Sequence, residues 1–254
     1  MTMRKRIFIF FGLLFSFQPL FSAAPRQMIE EANAAFVDGQ YSYAIELYEG
    51  VLEQKLEAPE LYYNLGNAYF KENRLGPAIL NYERALRLKP NDDNTLFNLE
   101  VARALTVDRI NPVPLIFYEN WWRSFYSLFS TDRWAAIALI FLVFSLTFLG
   151  GFFFFRTRGL KKSVFSLALI GFTFMAVSFF AARAQYYHTF QKKEAIVMVP
   201  RATAKSSPGE ASPDLFVIHE GSKARITGEL GEWFEIRLAN GNVGWVKKMT
   251  LEII

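Results

Sequence analysis

The chain has 254 residues and a formal net charge of +4, with 52% hydrophobic and 20% charged residues. This length suits two small domains with additional membrane segments. The small positive charge is not gathered into a basic patch with stacking aromatics, so we expect no nucleic-acid partner. The absence of cysteine excludes disulfides, thiolate zinc sites and a lipidated N-terminal cysteine. The 27 phenylalanines concentrate in apolar runs, which indicates membrane segments rather than one large core.

The N-terminus has the pattern of an export signal. Residues 4–6 are basic, residues 7–17 form an apolar run too short for an ordinary membrane span, and residues 22–24 are small. We therefore predict a signal peptide over residues 1–24. Pro25 leaves the cleavage position open, and an uncleaved anchor is the alternative reading.

Residues 25–110 contain an internal repeat. Residues 41–48 align with residues 75–82 at an offset of 34, which is the period of a tetratricopeptide repeat. The second copy carries nearly the whole pattern: Tyr62, Leu65, Gly66, Tyr69, Ala78, Tyr82, Ala85 and Pro90. The first copy is weaker, and a partial third copy begins at Asp93. We predict a helical repeat domain over 25–110 that ends in a capping helix over 94–106.

The next segment predicts a membrane hairpin. Residues 111–133 are rich in Trp, Tyr and Phe and suit an interfacial linker helix. Apolar spans are expected at 134–155 and 164–182, with Gly150 and Gly151 as helix-packing residues. The basic loop 156–163 between them predicts a cytoplasmic position by the positive-inside rule. Both terminal domains then lie on the outer side of a bacterial inner membrane, and the signal segment agrees.

After a linker over 183–193, residues 194–254 show an all-β pattern. Short alternating segments and the Asn240-Gly241 hairpin signal predict five strands in a small barrel, at residues 195–199, 223–228, 233–238, 242–247 and 251–254. The segment 201–213 is rich in Ser, Ala and Pro, and we interpret it as a long loop.

The C-terminal segment resembles bacterial SH3-like domains at residues 216–221, 231–236 and 241–246. In its domain order, the whole chain resembles the E-type protein of the aerotolerance (Bat) operon. The resemblance implies a tetratricopeptide solenoid, a two-helix transmembrane hairpin and a C-terminal SH3-like barrel. It also implies protein partners, namely membrane-bound von Willebrand A-domain Bat proteins and, indirectly, a MoxR-type AAA+ ATPase. Such proteins are linked to stress tolerance and envelope integrity.

Binding residues follow from the repeat register, because the first helix of each tetratricopeptide repeat lines the concave face. The expected groove residues are Asn33, Tyr63, Asn67, Phe70, Lys71 and Asn98. Asparagine amides both donate and accept, which suits a peptide backbone. The alternative is ordinary packing for the aromatics and a solvated charge for the lysine. Trp233, after the Gly231 turn, is the candidate contact of the SH3-like domain, either in a groove for peptide or cell wall or in the core.

We find no catalytic pattern in the sequence. His219 lies near Ser222 and Asp214, but nothing in the sequence indicates that these groups converge. Metal-ligand spacings and phosphate-binding loops are absent, so we expect no enzyme activity, cofactor or metal. The leading hypothesis is a membrane-anchored scaffold that binds envelope proteins. The alternative is a protein that binds peptidoglycan through the SH3-like domain.

Overall fold

A computed structural model of the chain describes residues 23–110, 113, 117–187, 189 and 193–254. They form two compact units that divide after Lys55. The helices are α1 (Ala23–Val37), α2 (Tyr41–Glu53), α3 (Pro59–Lys71), α4 (Leu75–Leu88), α5 (Asp93–Ala104), α6 (Phe117–Tyr126), α7 (Thr131–Phe154) and α8 (Arg158–Tyr186). The strands are β1 (Glu194–Val197), β2 (Arg201–Lys205), β3 (Asp214–His219), β4 (Lys223–Leu230), β5 (Trp233–Leu238), β6 (Val243–Lys247) and β7 (Leu251–Ile253). The predicted signal segment lies outside the described residues, apart from its last two positions, which begin α1.

The first unit contains the helix pair α1 and α2. Ala32 and Ala44 are fully buried, and these small side chains let the two helices approach closely. The Tyr48 hydroxyl is buried and donates a hydrogen bond of 2.6 Å to Asn33 Oδ1. This polar contact joins one helix of the pair to the other.

In the second unit, α3 and α4 form a pair of the same kind. Gly66 lies so close to α4 that a Cβ atom there would be 2.7 Å from the ring of Tyr82. The Tyr82 hydroxyl donates to Asn67 Oδ1 at 2.8 Å. Asp92 then caps α5, because its carboxylate accepts hydrogen bonds from the amide and hydroxyl of Thr95. Helix α5 occupies the place of the predicted capping helix.

Helices α7 and α8 are long and apolar enough to cross a membrane, with mean hydropathies of 2.5 and 2.2 over their most apolar windows. They pack along each other through Gly171, where a Cβ atom would meet the side chains of Ser145 and Phe144. The rings of Phe141 and Phe174 stack at 5.2 Å across the same pair. A glycine at this crossing lets the helix backbones approach closely.

Two details of the hairpin differ from the sequence prediction. Helix α8 begins at Arg158, so most of the predicted basic loop is helical and the connection is only a few residues long. A Cβ atom at Gly150 would have no neighbour within 4 Å, so the predicted packing role of this glycine is wrong. A Cβ atom at Gly151 would lie 4.0 Å from the Val164 side chain, at the edge of contact. Nothing in the local sequence distinguishes these glycines from Gly171, because contact depends on which face of the helix meets its neighbour.

The short helix α6 connects the apolar hairpin to the rest of the second unit. One side of α6 turns Trp122, Phe125 and Tyr126 toward Trp134 and Ala181, which lie on α7 and α8. The indole nitrogen of Trp134 donates to the carbonyl oxygen of Tyr126 at 2.8 Å. The other side exposes three aromatic residues: Phe117, Tyr118 and Trp121. This distribution suits a helix at a membrane surface.

The seven strands form one antiparallel sheet in the order β3-β2-β6-β5-β4-β1-β7. Every strand contributes to one apolar core, which includes Ala195 and Val197 of β1 and Ile236 of β5. The strand ladders leave β3 and β7 as the two ends of the sheet, so the sheet is open rather than closed into the predicted barrel.

The sequence prediction missed strands β2 and β3. Residues 201–213 are not one long loop, because 201–205 form β2 and a turn over 206–213 leads into β3. Ala202 and Ala204 are buried between polar neighbours, so the segment alternates as a strand does. Its small residues conceal this pattern, since alanine also occurs in loops. The turn is closed by a hydrogen bond from Ser206 N to the Pro213 carbonyl and by the Lys205–Asp214 ion pair.

Candidate functional site

A cluster of amides and tyrosines lies on α3, α4 and α5. Asn98 Nδ2 donates to Asn67 Oδ1 at 2.8 Å and lies 3.3 Å from the Tyr63 hydroxyl. The rings of Tyr63 and Tyr82 are 6.3 Å apart. We call Tyr63, Asn67, Tyr82 and Asn98 the amide–tyrosine cluster. It brings together three of the residues predicted to line the groove.

The cluster retains hydrogen-bonding capacity for a ligand. Asn67 Oδ1 accepts from both Tyr82 and Asn98, whereas the Asn67 amide NH₂ and the Asn98 amide oxygen have no partner among the described residues. Both asparagines are half-buried. Burial, with a smaller effect of Tyr63, raises the pKa of Tyr82, so its hydroxyl stays protonated and donates. The NH₂ group of Asn67 and the amide oxygen of Asn98 therefore remain as donor and acceptor groups for a peptide backbone.

Asn33 and Asn67 share a structural role that sequence analysis missed. Each amide oxygen accepts from a buried tyrosine hydroxyl 15 residues later, Tyr48 for Asn33 and Tyr82 for Asn67. The two pairs are one repeat apart in the sequence. A buried hydroxyl needs such a partner, so these asparagines stabilise their helix pairs. The recurring spacing of asparagine and tyrosine was a signal for this role.

Phe70 and Lys71 lie in the last turn of α3. Phe70 follows Tyr63 by seven positions and Lys71 follows Asn67 by four, so all four residues share one side of the helix. Phe70 is half-buried and Lys71 is exposed. This side of α3 thus presents aromatic, amide and basic groups along its length.

Trp233 lies on the outer side of the C-terminal sheet. Its neighbour Phe234 points into the core, so Trp233 points the opposite way. Trp245 pairs with Glu235 across β5 and β6 and is also half-buried, while the adjacent Val246 is fully buried. Both tryptophans therefore lie on the same outer side of the sheet.

One stripe of α4 docks against the C-terminal sheet. The amide of Gly76 donates to Glu220 Oε1 at 2.9 Å, and a Cβ at Gly76 would lie 2.8 Å from that side chain. Gly221 has a φ of +84° and approaches Ile79 so closely that a Cβ would be 2.9 Å away. Further along, Glu83 pairs with Lys223 of β4 at 2.8 Å. The sheet therefore covers α4 along several turns.

Asp108, which follows α5, joins the helices α3–α5 to the C-terminal sheet. Its Oδ2 accepts from the His219 amide and the Ser222 hydroxyl, each at 2.6 Å, and its Oδ1 lies 2.8 Å from His219 Nδ1. Burial by itself would raise the pKa of Asp108, but the hydrogen bonds from Ser222 and His219 outweigh it and lower the pKa. The carboxylate therefore stays ionised and acts as the acceptor of the docking contact.

The same three residues do not have the connections of a hydrolase triad. The Ser222 hydroxyl donates to the carboxylate and not to the imidazole, whereas a serine nucleophile requires a contact with the histidine. Asp214, the aspartate considered from the sequence, pairs with Lys205 instead. Among the described residues, no group of His, Asp and Glu side chains is placed to hold a metal ion.

Comparison with known families identifies one part of the chain. Residues 59–92 match the tetratricopeptide repeat family. The match begins at the first residue of α3 and ends at Asp92, the cap of α5, so it covers the helix pair that carries Tyr63, Asn67 and Tyr82. No curated protein matches the chain. Since tetratricopeptide repeats build surfaces that bind other proteins, the repeat indicates a protein-interaction scaffold.

Proposed function

We propose that the chain is a membrane-anchored adaptor that binds another envelope protein through the amide–tyrosine cluster and the adjoining side of α3. The observation that carries this proposal is the division of surfaces in the second unit. The sheet docks on α4, while Tyr63, Asn67 and Asn98 remain half-exposed on α3 and α5. The amide groups left without a partner suit the backbone of a peptide segment.

The membrane placement rests on α7 and α8. Four basic residues, Arg156, Arg158, Lys161 and Lys162, lie at the connection between the two apolar helices. By the positive-inside rule this connection faces the cytoplasm, and both terminal domains face outward from the bacterial inner membrane. In that location the partner is a membrane-bound von Willebrand A-domain protein of a Bat-type complex, as the domain order suggests. The adaptor performs no catalysis in this proposal.

A direct test uses the full chain in mild detergent. Tyr63→Ala with Asn98→Ala removes the aromatic surface and one amide but leaves the Tyr82–Asn67 hydrogen bond in place. Each substitution should weaken capture of von Willebrand A-domain membrane proteins by about 1–2 kcal/mol if the groups are buried in the complex. Asn94→Ala, at an exposed position in the first turn of α5, is the matched control.

Unchanged helix content by circular dichroism would show that the variants are folded. Full capture by the Tyr63/Asn98 variant would contradict the proposal. Reporter fusions after Arg109 and after Ile254 test the topology separately, and both should behave as exported. A cytoplasmic signal from either fusion would refute the membrane orientation without affecting the binding site.

The second candidate function is peptidoglycan binding through the C-terminal sheet, treated as an SH3-like domain. The observation in its favour is that Trp233 and Trp245 lie on the same outer side of the sheet. Aromatic side chains in such a position provide a large contact area for a stem peptide. Sedimentation of the full chain with purified cell wall, lost on Trp233→Ala, would favour this function over the adaptor.

A further inference from the structure

A cavity of about 320 Å³ lies where α4, α5, α6, the end of α8 and the C-terminal sheet meet. This volume exceeds that of a few water molecules and lies at the lower end of small-molecule sites. Gln185 and Thr189 line it just beyond the apolar part of α8, and Tyr126 lines it from α6. The cavity therefore lies at the level of the lipid headgroups if α8 crosses a bilayer.

The lining of the cavity is predominantly basic. Its charged residues are Arg87, Arg103, Arg123, Lys223, Glu83 and Glu194. Four cations and two carboxylates leave an excess of two positive charges. Glu83 binds both Arg103 and Lys223, and Glu194 also binds Lys223. Arg87 Nη1 donates a hydrogen bond of 2.5 Å to the backbone oxygen of Ile254, which also lines the cavity, and Arg87 has a long contact of 3.9 Å with Glu57. Arg123 has no acidic partner among the described residues. Arg123 and the unpaired Nε–H of Arg87 therefore remain available to an anion in the cavity.

Two buried polar atoms in the lining have no partner. Gln185 is 3% exposed, and its Oε1 accepts no hydrogen bond within the described residues, although its Nε2 donates to Thr189 Oγ1 at 3.3 Å. Rotating this amide by 180° would exchange its two ends and still leave one of them without a partner. The Nε atom of Arg87 is buried and likewise has no partner. Such atoms are costly unless a bound group satisfies them.

We propose that the cavity binds a phosphoglycerol group. The phosphate accepts from Arg87 and Arg123, whose guanidinium groups suit a phosphate. A glycerol hydroxyl meets Gln185, and because a hydroxyl both donates and accepts, it satisfies either orientation of the amide. The group comes either from the headgroup of phosphatidylglycerol or from free glycerol phosphate. The lipid source rests on the membrane placement proposed above, whereas the chemistry of the site does not.

The test uses the full chain in nanodiscs of phosphatidylcholine with or without phosphatidylglycerol, and native mass spectrometry measures the lipid retained on release. Retention of phosphatidylglycerol over phosphatidylcholine should fall about fivefold in Arg123→Gln, because each basic residue near the headgroups contributes about this factor. Gln185→Leu should lower it as well. Arg133→Gln is the matched control, since Arg133 is exposed in the first turn of α7 and does not line the cavity.

A titration with soluble ligands separates the two sources of the phosphoglycerol group. Glycerol 3-phosphate and inorganic phosphate are titrated against the detergent-solubilised chain. Binding of glycerol 3-phosphate that is lost in Arg123→Gln, without any lipid preference, assigns the phosphoglycerol group to the soluble pool. That result would stand even if α7 and α8 did not cross a membrane. The proposal is overturned if the chain binds neither phosphatidylglycerol nor glycerol 3-phosphate. It is also overturned if Arg133→Gln lowers lipid retention as much as Arg123→Gln. In that case the cavity holds water only.

Discussion

Substitution of Asp108 tests how the helices α3–α5 are held against the C-terminal sheet. Its carboxylate accepts two hydrogen bonds at Oδ2 and faces His219 Nδ1 with Oδ1. Asp108→Asn has the same shape but replaces one oxygen with an NH₂ group. With the NH₂ group at the Oδ2 position, it faces the His219 amide and the Ser222 hydroxyl and both hydrogen bonds are lost. With the NH₂ group at the Oδ1 position it can donate to His219 Nδ1, but the negative charge that strengthens all three contacts is gone. A hydrogen bond to a charged group contributes about 1.5–3 kcal/mol, so we expect a loss of about 2 kcal/mol in docking.

Hydrogen exchange on the full chain in detergent measures this loss. A loss of about 2 kcal/mol corresponds to about thirtyfold faster opening of the contact. The effect should appear in residues 214–222 and in residues 105–110, which approach each other through this carboxylate. Helices α7 and α8 should exchange as before, because the hydrogen bonds of Asp108 go to His219 and Ser222 in the C-terminal sheet.

Asp214→Asn is the matched control, because Asp214 lies in the same sheet, its side chain is 67% exposed and its ion pair is with Lys205. An exposed pair contributes little, so exchange at 214–222 should remain near that of the parent. If Asp108→Asn leaves exchange unchanged, or if Asp214→Asn accelerates it equally, then Asp108 does not hold the sheet on the helices.

Three further predictions follow from the same contacts. Gly66→Leu forces a side chain into the ring of Tyr82. The packing of α3 on α4 should lose about 1–3 kcal/mol of stability, measured as faster hydrogen exchange of both helices. Gly171→Val should lower the thermal midpoint of the detergent-solubilised chain, whereas Gly150→Val, which meets no neighbour, should not. Because the folded state lowers the pKa of Asp108, its contribution to docking is complete above its ordinary value and is lost as the pH falls below about 4. Rate-corrected exchange at 214–222 should thus be constant between about pH 5 and 7 and rise only in more acidic buffer.

Several features of this protein could be predicted from the sequence because they depend on local periodicity. The 34-residue offset predicted the helix pairs, since Gly66 and Ala78 must be small where two helices meet. The uncharged runs predicted two long apolar helices, because length and composition alone decide whether a helix can cross a membrane. The register also placed Tyr63 and Asn67 on one side of α3, which is a property of a single helix.

Other features depend on contacts between distant parts of the chain, which no local pattern specifies. Asp108 and Ser222 are 114 positions apart, and only the docking of the sheet brings them together. The small alanines of β2 pair as a strand because β3 and β6 lie on either side of them. The partner of Asn67 and the unpaired Oε1 of Gln185 likewise depend on how neighbouring elements pack. The sequence by itself determined the helices and the residues on each of their faces. The tertiary structure decided which faces are covered and which polar groups remain available for a ligand, because burial is set by the elements that pack together.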